Sequence, residues 1–205
     1  FGAGIASQLL RQIIEDADRR QKPVRLISSG ANLDSYSLYT RAGFVPRAIY
    51  QDMYLSVPQD GLPHRTDGDR FVREATPDDV PDMVALERDL AGLDREQDYR
   101  YFIENRERFW HVSVYRGERG SLEGFMVSLG DAGCNLIGPG AARTSAQAAS
   151  LLLAELNANR GRTPVCLVPA QCADLVALMY RWGAKNCDTH FSQVRGAYQP
   201  VRCIH

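Results

Sequence analysis

The run Gly2-Ala3-Gly4-Ile5-Ala6-Ser7 leads directly into a stretch whose apolar positions 5, 9, 10, 13, 14 and 17 recur at helical spacing. Successive backbone N–H groups and the positive end of a helix dipole would face whatever lies beyond that first turn, an arrangement suited to an anion. Small residues at 2, 4 and 6 let a bulky diphosphate reach the main chain with at most a methyl group in its way. The amides of Ile5 and Ala6 and the hydroxyl of Ser7 are the expected contacts. Glycines that merely permit a tight strand-to-helix turn, with ordinary capping at Ser7, are the plainer reading of the same residues.

One short strand further on stands Asn32-x-x-Ser35-x-x-Leu38-Tyr39-x-x-x-Gly43-Phe44. Asn32 can cap the helix that follows it or bond a ligand, and one side chain can do both. Tyr39 sits beside Leu38 on the apolar side of that helix, as a core residue or as a phenolic donor. With these two motifs in order, the chain resembles the GNAT superfamily of acyl-CoA-dependent N-acyltransferases, whose diphosphate loop precedes a helix and whose following helix carries asparagine, leucine-tyrosine and glycine-phenylalanine. The match runs through Gly2, Gly4, Ile5, Ala6, Leu9, Leu10, Asn32, Leu38, Tyr39, Gly43 and Phe44. It departs at Phe1, where the family usually has Gln or Arg, and at Ala3, often basic. The resemblance covers about 57 residues strongly and the rest by architecture.

The resemblance implies acetyl-CoA as co-substrate, its diphosphate on Gly2, Ala3, Gly4, Ile5, Ala6 and Ser7, and its pantetheine near Asn32 in a gap between two splayed strands. A primary amine of a small molecule or peptide would attack the thioester directly, and Tyr39 would donate to the departing thiolate, since a phenol ordinarily keeps its proton at neutral pH. The catalytic base and the carbonyl-polarising backbone would come from strands that this chain lacks. The alternative is an acyl-CoA-binding sensor or assembly subunit of the same fold without turnover. A dinucleotide-binding oxidoreductase would need an acidic residue at the end of the next strand, where Ser28-Ser29-Gly30 stands. A phosphate-binding NTPase would need Gly-Lys-Ser/Thr after the loop.

The elements that position these residues repeat. A helix from Ile5, a strand at 24–27, a helix at 35–42 ending at Gly43 and a strand at 48–57 are expected first. Residues 58–70 are polar and turn-rich, the composition of a connector. Then come a strand at 71–75, helices at 78–90 and 95–105, a hairpin of strands at 110–115 and 122–129, and a short strand at 135–137 before Gly138-Pro139-Gly140, read as a loop closing the sheet. A helix at 144–158, a strand at 164–168 and a helix at 172–182 ending at Gly183 restate the opening order. Pro23 and Pro164 lie 141 residues apart, and Gly43 and Gly183 lie 140 apart. The expected fold class is therefore α/β, a mixed α+β sheet in two GNAT-like domains in tandem. The first, 1–57, would be only a C-terminal half, with roughly 70 residues preceding Phe1 by the repeat offset. The second, 71–205, is degenerate: Ser145 and Gln147 stand at the Gly4 and Ala6 positions, Cys172 at that of Asn32 and Met179 at that of Tyr39, with Tyr180 one step off register.

Length and composition fit this picture. The 205 residues are 44% apolar, enough for a core, and a net charge of −1 does not favour a nucleic-acid partner. Five cysteines without a C-x-x-C pair, mostly in apolar contexts, read as reduced core thiols of a cytoplasmic protein. No apolar run is long enough to span a membrane, and no His, Cys or acidic cluster has metal-ligand spacing. His64 and His111 carry no evident role. Self-association into a homodimer is compatible with the sequence.

Overall fold

The apolar period between Ile5 and Ala17 is realised as helix α1 (Ile5–Arg19), the first of six helices and eight strands in a computed structural model that describes residues 4–199. The others are β1 (Val24–Ser29), α2 (Leu33–Arg41), β2 (Val45–Tyr54), β3 (Val72–Glu74), α3 (Val80–Ala91), α4 (Glu96–Glu104), β4 (Trp110–Arg116), β5 (Leu122–Gly130), β6 (Asn135–Ala142), α5 (Ser145–Ala158), β7 (Val165–Pro169), α6 (Ala173–Arg181) and β8 (Lys185–Arg195). Helix α5, strand β7, helix α6 and strand β8 begin 140 or 141 residues after α1, β1, α2 and β2. Packing divides the chain into two units, residues 4–50 with 188–199, and residues 51–187.

In the first unit the strands run in the order β1-β8-β2. β1 is antiparallel to β8, with Val24 opposite Arg195 and Ser29 opposite His190. The fully buried Gln193 accepts a hydrogen bond from Ser28 Oγ at 2.9 Å, so a polar pair inside this small sheet is satisfied. Arg195 closes on Asp18 of α1 with two bonds of 2.6 and 3.0 Å. Helix α2 ends as expected at Gly43, whose φ of +89° suits a residue without a β-carbon, and Phe44 then enters the core at 1% exposure.

In the second unit β3, β4, β5 and β6 are antiparallel in sequence, β6 is parallel to β7, and β2 lies on the other side of β7. Alternation along β5 sends Phe125 and Val127 to a cluster with Val80, Met83 and Tyr99, and Met126 to a second cluster with Leu151, Leu156 and Met179. Helices therefore cover both faces, α3 and α4 on one and α5 and α6 on the other. The 3-10 turn Pro77–Asp79 that opens α3 holds a buried carboxylate: Asp79 accepts 2.8 Å bonds from both terminal guanidinium nitrogens of Arg73, one of 2.7 Å from Arg116 and one of 2.8 Å from the Thr76 amide. Burial alone would raise its pKa, but the hydrogen bonds from Arg73, Thr76 and Arg116 outweigh it and hold the carboxyl far below the usual carboxylate range. A group depressed in this way contributes stability above its unfolded value, and that stability is lost as pH falls through the folded one. Chemical denaturation of the wild type is expected to show stability declining below about pH 4, and Asp79→Asn to show a flatter decline over that acid range.

Several expectations need correction. Residues 58–70 are not a free connector: Leu62 packs on the core, its amide donates to Asn157 Oδ1 at 2.8 Å, the Thr66 and Ser150 hydroxyls lie 2.6 Å apart and His64 stacks on Trp182 at 5.7 Å. The packing units divide at Tyr50/Gln51 and Cys187/Asp188, within β2 and β8. Gly138-Pro139-Gly140 does not close the sheet as a loop but lies within β6, whose pairing with β5 continues to Ala142 across a register shift. Strand β8 follows α6 as β2 follows α2. Cys166 is buried, whereas Cys134 and Cys187 are exposed rather than core thiols; Cys203 lies outside the described residues. Among the described residues no helix is long and apolar enough to cross a membrane.

Candidate anion-binding helix head and phenol

Gly4 is the N-cap of α1, with φ of +72°, and no side chain caps the helix. The first intrahelical bond runs from the Gln8 amide to the Gly4 carbonyl at 3.0 Å, which leaves the preceding amides without an acceptor inside the helix. A β-carbon built on Gly4 would meet nothing within 4 Å, and Ile5, Ala6 and Ser7 are exposed. No acidic side chain stands in the first turn to compete for an anion. Gly2 and Ala3 of the same expected loop lie outside the described residues.

The corresponding head of α5 is built differently. Thr144 is its N-cap, one residue before the position the repeat offset suggested; its Oγ1 accepts from the Gln147 amide at 3.3 Å while Gln147 Oε1 accepts from the Thr144 amide at 3.0 Å. This reciprocal box satisfies two donors at the head of α5, the Thr144 and Gln147 amides, where α1 has no side-chain cap. The other degenerate positions behave alike: Cys172 caps α6 without a side-chain bond, Met179 is fully buried, and the exposed Tyr180 donates to Gln51 Oε1 at 3.0 Å.

A cleft of about 380 Å³ opens between α1 and α2, lined by Ser7, Leu10, Arg11 and Ile14 on one side and Leu38, Arg41 and Ala42 on the other. It joins a residue of the expected loop to the neighbour of Tyr39, and it adds two cations that the sequence reading missed. Arg11 was findable, since it follows Ser7 by one helical turn on the same face. The half-buried Tyr39 ring packs edge-on to Phe44 with centroids 6.0 Å apart, and its hydroxyl makes no hydrogen bond among the described residues. Ring packing is therefore observed, while the phenol is not tied down as it would be in a satisfied core tyrosine. Asn32 caps α2, its Oδ1 accepting from the Ser35 amide at 3.0 Å. It also lines an open cavity with Ser29, Ala31, Leu33 and Asp34. Among the described residues no group of His, Cys, Asp or Glu is arranged to hold a metal ion.

No protein-family model matches the chain, and no curated protein matches it in sequence. Solved structures do share its fold. A Pyrococcus horikoshii protein assigned to the acetyltransferases superposes with a TM-score of 0.70 at 20% identity, over 98% of this chain and 64% of its own length. A GCN5-related N-acetyltransferase from Sphaerobacter thermophilus gives 0.59 at 15% identity, over 98% of this chain and 71% of its own. A tandem GNAT protein from the clavulanic acid biosynthesis pathway gives 0.56 at 13% identity, over 97% and 72%. The chain thus spans under two thirds of the Pyrococcus protein and somewhat more of the others, and its α/β architecture is that of GNAT acetyltransferases.

Proposed function

We propose that the protein is a cytoplasmic acetyl-CoA-dependent N-acyltransferase that moves an acetyl or other short acyl group to a primary amine of a small molecule or peptide. The chain is read as two GNAT-like copies in tandem, residues 1–57 being the C-terminal half of the first and 71–205 a degenerate second. The observation that carries this reading is the contrast between the two helix heads: α5 is closed by Thr144 and Gln147, and α1 is open at Gly4.

The residues present fit the co-substrate. The space a β-carbon would take at Gly4 is empty, the amides of Ile5, Ala6 and Ser7 belong to an uncapped first turn, and Arg11 and Arg41 add positive charge to the adjoining cleft. In the proposal Gly2 and Ala3 also contact the diphosphate, and Asn32 bonds the pantetheine. The amine nitrogen attacks the thioester carbonyl, a C–N bond forms, the C–S bond breaks, and the nitrogen's proton passes to a base contributed from outside the described residues. Tyr39 donates a hydrogen bond, then its proton, to the departing sulfur, and recovers a proton from solvent.

Support for an upstream half comes from α1 itself. Ile5, Leu9 and Ile13 form one stripe of the helix and are 63, 57 and 55% exposed. The residues 140 positions on from Leu9 and Ile13, Ala149 and Leu153, are buried on α5, which packs on β4, β5 and β6. A segment resembling residues 71–142 would cover the stripe on α1.

The test is acetyl-CoA binding by calorimetry, with thiol release followed over a panel of amines. Gly4→Asp puts a carboxylate at the bare helix head and is expected to weaken acetyl-CoA binding by about tenfold or more. Unchanged affinity would detach that loop from the cofactor, and tight binding without thiol release for any amine would replace the enzyme with the sensor.

A further inference from the structure

His111, which the sequence left without a role, is the visible end of a buried polar network. Glu155 of α5 has no exposed surface, yet its carboxylate lies 2.9 and 3.0 Å from His111 Nδ1 and accepts from Ser128 Oγ at 2.6 Å. Asn159 Nδ2 in turn donates to Ser128 Oγ at 3.0 Å and to the Glu155 carbonyl at 2.9 Å. The arrangement fixes the imidazole with Nδ1 committed to Glu155, so Nε2 is the free nitrogen, and among the described residues it has no partner.

His111 lines a cavity of about 330 Å³ at the C-terminal end of α5, the end away from the capped head, together with Phe109, Trp110 and three arginines, Arg108, Arg160 and Arg162. No acidic side chain lines it. Several arginines of this unit meet carboxylates: Arg73 and Arg116 share Asp79, Arg95 pairs with Glu87, Arg88 with Asp94 and Arg143 with Asp89. Arg108, Arg160 and Arg162 form no ion pair among the described residues, and Arg162 instead donates to the Gly130 carbonyl. The imidazole has Glu155 as its partner, but gathering three guanidinium groups around one hollow with no carboxylate in its lining raises the energy of the empty site, and a bound dianion offsets it.

We propose that this cavity binds the phosphoryl group of a small phosphomonoester, with Arg108, Arg160 and Arg162 donating to its oxygens, His111 Nε2 donating as the imidazolium, and Phe109 and Trp110 packing against the organic part. The volume is at the small end of the range for metabolite sites. The hydrogen bond to Glu155 is the largest cause that raises the His111 pKa, against the effect of burial, and the charges of Glu155 on α5 and Glu74 on β3 act in the same direction. Arg108, Arg160 and Arg162 are the other charged groups that line the same hollow. Affinity is therefore expected to fall as pH rises through the His111 titration.

The experiment uses the intact chain, with phenyl phosphate and inorganic phosphate as probes, calorimetry for affinity and NMR shifts of the His111 ring and the backbone amides for location. Saturable binding of phenyl phosphate at about 1 mM or tighter is expected, stronger than inorganic phosphate, with the His111 pKa rising on saturation. Arg108→Ala/Arg160→Ala removes two exposed cations without touching the buried network and is expected to weaken binding about tenfold at an unchanged melting temperature. Absence of saturable binding, equal affinity for the two probes, equal affinity in the double variant, or shifts confined to Ile5–Ser7 would each overturn the proposal. The last outcome would leave the acyl-CoA reading standing, and loss of acetyl-CoA binding would leave this one untouched.

Discussion

Residues 58–205 produced without the first 57 are expected to yield no cooperatively folded protein, even though they include every element of the proposed second copy. The reason is that a strand from the first 57 residues is built into the larger unit. Within the larger unit β7 is flanked on one side by β6 and on the other by β2, a strand of the removed segment. Met53, Leu55 and Val57 are 0, 5 and 3% exposed in the same cluster as Leu151, Leu156 and Met179. The Leu55 and Val57 amides donate to the Pro164 and Arg162 carbonyls at 3.3 and 2.9 Å, the Val57 carbonyl accepts from Gly161 at 2.9 Å, and Cys166 Sγ approaches the Met53 carbonyl at 3.5 Å. Truncating one such core side chain costs about 2–5 kcal/mol, against a typical total stability of about 5–15 kcal/mol. Removing three and baring the β7 edge exceeds that margin. Circular dichroism melting decides it: the 205-residue chain should unfold in a sigmoidal transition, and the fragment should melt without one and bind a hydrophobic dye. A monomeric fragment with a sharp transition would mean that β2 is not integral to that sheet.

The same strand pairing marks the limit of what the sequence disclosed. Helix α1, the hairpin of β4 and β5, and the stops at Gly43 and Gly183 were legible because local chemistry dictates them: a 3.6-residue apolar period, strand-favouring runs around a turn, and positive φ at +89 and +96° where only glycine sits easily. Which strand pairs with which was not legible, since β2 follows α2 as β8 follows α6 and either could lie beside β1 by pattern alone. Strand β8, Lys-Asn-Cys-Asp-Thr-His-Phe-Ser-Gln-Val-Arg, announces itself poorly because only Gln193 and Val194 of it are buried, and one of those is polar. Composition does not reveal how 58–70 is anchored: Leu62 is one apolar anchor, and its backbone bond to Asn157 is invisible before folding. At the candidate site the bare loop and Asn32 as a cap could be read from residue type and order. Arg41 depends on how α1 and α2 approach each other. Glu155 was hidden because it is an acid on the buried face of an otherwise apolar helix, and its partner His111 lies 44 residues away.

Tyr39→Phe in the full protein is expected to lower the turnover of acetyl-CoA with its amine by about a hundredfold, with little change in acetyl-CoA affinity or melting temperature. The substitution is well matched to the question because the ring and the hydroxyl have separable surroundings. The ring packs edge-on to Phe44, a contact that phenylalanine retains, whereas the hydroxyl makes no hydrogen bond among the described residues, so its removal leaves no buried group unsatisfied. A tyrosine kept only for packing would therefore lose nothing measurable on becoming phenylalanine. A tyrosine that donates to the leaving sulfur loses an interaction made chiefly in the transition state, so kcat falls while binding does not. The acyl donor can sharpen the distinction: a donor whose leaving thiol is more acidic needs less help at sulfur, and the gap between wild type and Tyr39→Phe should narrow with it. Equal turnover in the two proteins with acetyl-CoA, or a gap of constant size across leaving groups, would return Tyr39 to the core and leave thiolate protonation to solvent.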